Sequence, residues 1–464
     1  MQKITFLFFT IIFSLNLSFA QVCPDANYSY TNQDLLDNFP QDCDEISGNI
    51  QLLGSGITDL TPLANITKIG GTLRIATSGL TSDLSGLEAL TSVGGDLRIE
   101  NNENLQTMEQ FDNLTEIGGD LNITGNEALS ALPQNNILTE IGGYFNITQN
   151  SNLTTTDGFN SLENVGRFIQ FISNSNLTEI PNFNNLVNYD GEIRIINNES
   201  LESIIGFSNL ISVTEDIDIK NNPLLNNLTG FDSLEEIGES LEISDNEGLT
   251  DLLGFNNLGN VGENIAIFQN NNLVDIAGFE TLNFVQGGIQ IAVNPLMVDI
   301  SGFDAIPSIN GYLIIYYNDG LEDVTGFNNL SEIGAFMEVN NNPLLAMCDA
   351  FCEVLKDDIG SVTINNNAPG CDTKQEILDN CNIGIFENDL QSISIYPNPN
   401  NGKFKIDGSI SFDKLELLDL SGRLIQTKSV SKNSYYDFSN LDKGIYLIKA
   451  YNENIIYQTK IFIE

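Results

Sequence analysis

A step of twenty-four residues governs most of this chain. Short segments of the pattern apolar-x-apolar begin at Leu73, Leu97, Leu121, Phe145, Ile169, Ile193, Ile217, Leu241, Ile265, Ile289, Leu313 and Met337, and the phase never slips. A looser first copy lies around Ile50 to Leu52 and a last one at Val362 to Ile364, which makes about fourteen coils. Within each unit the apolar positions fall at offsets 0, 2, 8, 11, 14, 17 and 20 from the strand start. The opening pair alternates with period two, as one face of a strand does. The remainder recurs every three residues, which suits extended arcs or 3₁₀ turns better than an α-helix. No single coil can bury its own apolar set, so the coils must stack strand on strand into a parallel sheet.

Two further ladders run in the same phase. An asparagine stands five residues after the strand start at 102, 126, 150, 174, 198, 222, 246, 270, 294, 318 and 342. A side-chain amide inside the bend can both donate to and accept from backbone groups that burial would otherwise orphan, so these residues are structural. Phenylalanine holds offset 14 at 159, 183, 207, 231, 255, 279, 303 and 327, with Phe111 earlier, and forms core. Glycine precedes it at 206, 230, 254, 278, 302 and 326, where a positive φ or a close backbone approach is expected.

The chain of 464 residues contains no histidine, which removes every catalytic or metal site that needs an imidazole. Lys3, an apolar run from Ile4 to Leu17 and Ser18-Phe19-Ala20 read as a secretory signal over residues 1–20. No other segment approaches the length of a membrane span. Six cysteines stand in two groups: Cys23 and Cys43 before the repeats, and Cys348, Cys352, Cys371 and Cys381 after them. An even number outside the cytosol points to disulfides that close the ends of the array, with the pairing among the last four open. Their gaps of three, eighteen and nine residues do not suit zinc, so no metal is expected.

Net charge is −45 and unevenly placed. From Ile393 onward nine Lys and Arg face eight Asp and Glu, leaving nine against fifty-five for the first 392 residues. Such a surface repels phosphate backbones, which rules out nucleic acid as a partner.

The consensus L-x-I-x-x-N-x-x-L-x-x-I-x-G-F-x-x-L-x-x-I-G-G resembles the leucine-rich-repeat superfamily, in its receptor L-domain branch, from Ile50 to about Ile364. It departs from ordinary leucine-rich repeats in lacking a helix-length segment on the convex side. The resemblance implies a concave sheet that binds partners.

The last 72 residues read as about seven short strands, around Ser394, Phe404, Leu417, Ile425, Tyr436, Tyr446 and Tyr457, divided by turn signals. They resemble the type A C-terminal sorting domain of the type IX secretion system. The matching blocks are Ile395-Tyr396-Pro397-Asn398-Pro399 with Gly402, then Leu418 to Arg423 with Gly422, then Leu441 to Tyr446 with Gly444, and the Ile461-Phe462-Ile463 end. This resemblance implies engagement of the secretion machinery and export from a Gram-negative bacterium to the outer surface or the medium.

The expected organisation is therefore all-β. It comprises the signal (1–20), an N-terminal cap (21–48), a leucine-rich-repeat solenoid (49–347), a cysteine-bearing C-terminal cap (348–381), a linker (382–392) and a small antiparallel β-sandwich (393–464). Candidate binding residues are aromatic or aliphatic side chains at the outward offsets −1, 1, 3 and 4. One cluster is Tyr144, Phe168, Ile172 and Ile196; the other is Phe268, Tyr312, Ile314, Tyr316, Tyr317 and Phe336. Between them lies an acidic group, Glu192, Asp216, Asp218, Glu242 and Asp245, without a calcium-loop pattern. Arg74, Arg98 and Arg194 also occupy outward strand positions, as a solenoid polysaccharide lyase would require. Regular repeats without a local insertion give little means of shaping a pocket, so no enzyme and no cofactor is expected. The expected function is adhesion or binding of an extracellular protein or glycan, with a purely structural matrix role as the alternative.

Overall fold

In the computed structural model the stacking follows the sequence period coil by coil. Residues 21–24, 26–154, 158–356, 359–381, 394–407, 414–419, 423–429, 435–452 and 455–463 are described. The signal segment 1–20 and the linker 382–392 lie outside them. Two compact units are present, 1–381 and 382–464.

The first unit is a parallel β-solenoid. Its main sheet has fifteen strands in sequence order. From Leu73–Ala76 to Leu313–Tyr316 each strand is four residues long and pairs in register with the next, as Ile193 with Ile217 and Ile195 with Ile219. One strand lies where the sequence suggested only a cap: Tyr28–Asn32 pairs in parallel with Ile50–Gly56. Short helices occupy the two ends, Gln33–Leu36 and Lys374–Cys381, and the coils between hold only 3₁₀ turns and two-residue strands. Offsets 0 and 2 are buried along the whole array, and offset 1 stays half exposed because alternate strand residues point to opposite faces.

The asparagine ladder joins the coils from Ser78 to Asn367. Each buried Asn Nδ2 donates to a strand carbonyl of the preceding coil, as Asn222 to Ile195 O at 2.9 Å. Its Oδ1 accepts the backbone N–H of the preceding asparagine, as Asn198 N to Asn222 Oδ1 at 3.0 Å. Ser78 opens this chain by donating to Asn102. Asn367 closes it across a twenty-five-residue step, with Asp372 accepting its N–H. Phe183 to Phe327 stack with ring centroids 5.1–5.7 Å apart. The stack fails at Asn135, which fills the offset with a buried amide donating to Phe111 O and Leu114 O.

Both expected reasons for the glycines apply, at different coils. Gly254 and Gly278 have positive φ (139° and 129°). At Gly206 and Gly326 a Cβ would instead run into the carbonyl of Pro181 or Ile300 one coil away. On the second side, a six-stranded sheet ends at Asn164–Val165 and a seven-stranded one starts at Asn188–Tyr189. At this break the buried Tyr189 hydroxyl donates to the carbonyls of Arg167 and Glu192.

All six cysteines are paired: Cys23 with Cys43, Cys348 with Cys371, and Cys352 with Cys381. The first pins the N-terminal cap, and the other two tie the final helix and loop to the last coil.

The second unit folds separately into two antiparallel sheets of three and four strands around Phe404, Leu415, Leu417, Phe438, Ile448 and Ile461.

Candidate functional site

Each strand of the main sheet ends in a sharp bend, and this reshapes the outward face. The residue at offset 4 takes a left-handed backbone at nearly every coil, from Thr77 (φ 51°) and Asn101 (φ 54°) to Asn341 (φ 55°). Tyr317 and Asp245 therefore stand on the bend and not on the strand as the outward-offset pattern supposed. Offsets 1 and 3 form the sheet face, with offset −1 along its entry edge.

The first expected cluster is divided. Tyr144 and Phe168 stack along the entry edge with centroids 4.6 Å apart and planes 7° apart. Arg194 lies over the Phe168 ring at 5.5 Å and is ion-paired to Glu192. Burial, together with a hydrogen bond to Asp120, pushes the Tyr144 hydroxyl above its ordinary pKa. These groups mostly satisfy one another. Ile172 and Ile196 pair with each other on the opposite edge, separated from the rings by the offset-1 row. That row is an amide chain: Gln170 donates to Asn146 at 2.7 Å, and Asn146 to Asn122 at 2.6 Å.

The second cluster is continuous. Tyr312 stacks on Phe336 at 5.4 Å, and its ring covers Gly288, where a Cβ would collide with it. Tyr316 packs edge-on against Tyr317 at 5.4 Å. Phe268, Ala292 and Tyr316 are neighbours across three strands, and Ala292 beneath them is fully buried. Ile314 sits between these two edges at offset 1. Large side chains thus lie flat over small ones, and the result is an apolar carpet and not a pocket.

The acidic group between the clusters is largely neutralised or structural. Lys220 bridges Asp218 at 2.9 Å and Glu242 at 2.8 Å. Burial alone would lower the Lys220 pKa, but the two carboxylates outweigh it and hold the ammonium above its ordinary value. Burial raises the Glu192 carboxyl, against the opposing pull of Arg194. Asp216 accepts the Ser240 N–H at 2.8 Å, and Asp96 and Asp120 accept the N–H of Asp120 and Tyr144. This second, partial ladder escaped the sequence reading; its signal was the recurrence of Thr72, Asp96, Asp120, Asp216, Ser240 and Asn264 just before their strands. Among the described residues no group of three or more Cys, Asp or Glu is placed to hold a metal ion.

In the C-terminal unit the sorting residues form a clasp. Asn398 accepts from Phe462 N at 2.8 Å and donates to Lys460 O at 3.1 Å, fastening the Pro397-Asn398-Pro399 loop to the last strand. Gly402 (φ 85°) packs against the Ser439 backbone, and Tyr446 donates to Asp442 O at 2.8 Å. Gly444 opens the strand Gly444–Asn452, Tyr396 is largely exposed, and Gly422 lies outside the described residues. Asn400, absent from the sequence-level set, is buried and bonds Pro397 O and Gly402 N.

Comparison with known proteins fits this division. Residues 42–137 match the receptor L domain model. Residues 394–464 match the secretion system C-terminal sorting domain. A stretch of 90 residues is 29% identical to an ulvan lyase, NLR42, of Nonlabens ulvanivorans, and covers 18% of this chain and 17% of that protein. No helix among the described residues is long and apolar enough to cross a membrane. The sorting domain marks the protein for export to the cell surface or beyond and is the part that engages the secretion machinery. The chain is a parallel β-solenoid, matched to the receptor L domain over residues 42–137, followed by a type IX secretion C-terminal sorting domain.

Proposed function

We propose that the exported array is a non-catalytic binding protein that recognises an extracellular protein or glycan on the outer face of its main sheet. The apolar carpet of Phe268, Tyr312, Ile314, Tyr316 and Phe336 carries this reading. Elsewhere the offset-1 position is mostly polar, as in Arg74, Asn122, Gln170, Asp218 and Glu242. Flat, half-exposed aromatics on neighbouring strands supply contact area at low ordering cost, as recognition surfaces do.

The relative named as an ulvan lyase supports a second reading, a polysaccharide-active enzyme. Against it, the cations that would meet an anionic glycan on this face are committed elsewhere. Arg74 pairs with Glu100 at 2.9 Å, Arg98 with Asp96 at 2.8 Å, and Arg194 with Glu192.

A combined glycan and protein array probed with the mature chain tests the proposal. Saturable binding that Tyr312→Ser with Phe336→Ser abolishes is expected, whereas binding indifferent to this pair refutes it. Incubation with ulvan, followed for release of unsaturated sugar ends, is expected to yield none.

A further inference from the structure

The left-handed bend after each strand carries glycine or a polar residue at every coil from 77 to 269, and the one β-branched member, Thr77, bonds the Ala76 carbonyl through its hydroxyl. Two consecutive coils break the rule. Val293 (φ 55°) and Tyr317 (φ 55°) place a β-branched chain and a large ring in a conformation that penalises both. The core does not ask for them: Val293 is half exposed and Tyr317 is 53% exposed. Backbone strain kept at an exposed position points to a role outside the fold.

The two are not isolated. Val293 N–H bonds Tyr316 O, and the Tyr316 and Tyr317 rings meet. Beyond the bend, on the flank of the solenoid, Val274, Leu296 and Val298 are each more than two-fifths exposed, and Val298 N–H bonds Val274 O. Apolar surface therefore wraps from the sheet face around the bend to the flank. Its surroundings carry one sign of charge. From Asn221 to Leu355 the sequence has twenty Asp and Glu and not one Lys, Arg or His. Asp275, Asp299, Asp319 and Glu322 belong to the coils that bear the apolar band, and no cation of the same stretch offsets them.

We infer that this bend and flank form a docking surface for a cationic protein segment, apolar at its centre and flanked by Lys or Arg. The inference rests on the binding role proposed above and names its partner. Charge complementarity selects the occupant. A second copy of the array brings the same negative surface and is repelled, as are sulfated or uronate glycans.

The test uses the full mature chain against arrayed peptides with aromatic and aliphatic centres, flanked either by Lys or by Glu, alongside ulvan and a neutral β-glucan. Lys-flanked peptides are expected to bind at least about tenfold more tightly than their Glu-flanked twins, less so as salt rises. The double variant Val293→Asn, Tyr317→Asn installs the residue other coils use. It is expected to lose at least about tenfold in affinity with Tm unchanged or raised. Equal binding of the two peptide sets, preference for either glycan, self-association of the chain, or full affinity in the double variant would each overturn the inference. Binding lost in Tyr312→Ser with Phe336→Ser but kept in the Val293 and Tyr317 variant would refute this docking surface and leave the broader binding role standing.

Discussion

Removing one rung from the asparagine ladder offers a quantitative test of what joins the coils. In Asn222→Ala the Asn198 N–H loses its acceptor at 3.0 Å and the Ile195 carbonyl loses its donor at 2.9 Å. Both asparagines are fully buried, so water cannot replace the lost side chain without opening the coil. At ~1–3 kcal/mol for each buried group left unpaired, the two together cost about 2–6 kcal/mol. Because each coil touches only its neighbours, the damage stays near coils 193 and 217. The matched control is Asn221→Gly at the adjacent bend position with φ 53°, which glycine adopts freely; it gives up only an exposed bond to Asn197 Oδ1, which water replaces, and is expected within about 0.5 kcal/mol of wild type. Urea midpoints give the total, and hydrogen exchange at the Asn198 amide gives the location. A midpoint no lower than that of the control, or an Asn198 amide still fully protected, would refute the claim that the ladder holds the coils together.

Deleting residues 393–464 is expected to leave a folded array in the periplasm, since the array has its own core and disulfide-closed caps; fractionation that finds it at the surface or in the medium would contradict the sorting assignment. Burial and the neighbouring Asp275 raise the Asp299 carboxyl above its ordinary 3.8. A carboxyl harder to ionise folded than unfolded contributes stability that is fully present below that ordinary value and is lost as pH rises through the raised one. Asp299→Asn is therefore expected to raise Tm at about pH 7 but not at about pH 3, and melting curves at the two pH values decide it. Replacing Cys352 and Cys381 by serine frees the final helix Lys374–Cys381 across a separation of twenty-nine residues. A loss of about 2–4 kcal/mol, with faster exchange in the edge strand Ser361–Asn365, is expected from urea titration.

Legibility in the sequence followed from how often a cause repeats. Asn222 was readable because its role recurs at one phase in eleven coils, and the buried Phe207 to Phe327 for the same reason. The strand Tyr28–Asn32 was not, because it stands twenty-two residues from its partner and carries no L-x-I signature. The bend at offset 4 was missed because polar residues there look like exposed strand positions, and only backbone angles separate the two. On the outer face, spacing identified Tyr144 and Phe168 as outward but could not reveal that they stack on each other and under Arg194. Nothing in the repeat pattern announced Asn135 in the phenylalanine row, because it occurs once, yet its amide bonds four backbone groups of two coils.

The ladder has a direction. Every rung offers its backbone N–H toward the C-terminal neighbour, so one end of the row needs a donor and the other an acceptor. Ser78 supplies the first and the Asp372 carboxylate takes the last N–H. The two ends are therefore chemically unlike, and neither can substitute for the other. Interior rungs, by contrast, are interchangeable: a coil excised or duplicated in units of twenty-four between Asn198 and Asn318 meets an asparagine rung on both sides. The ladder thus sets no limit of its own on the number of coils, whereas the residues that close its two ends are each required in place.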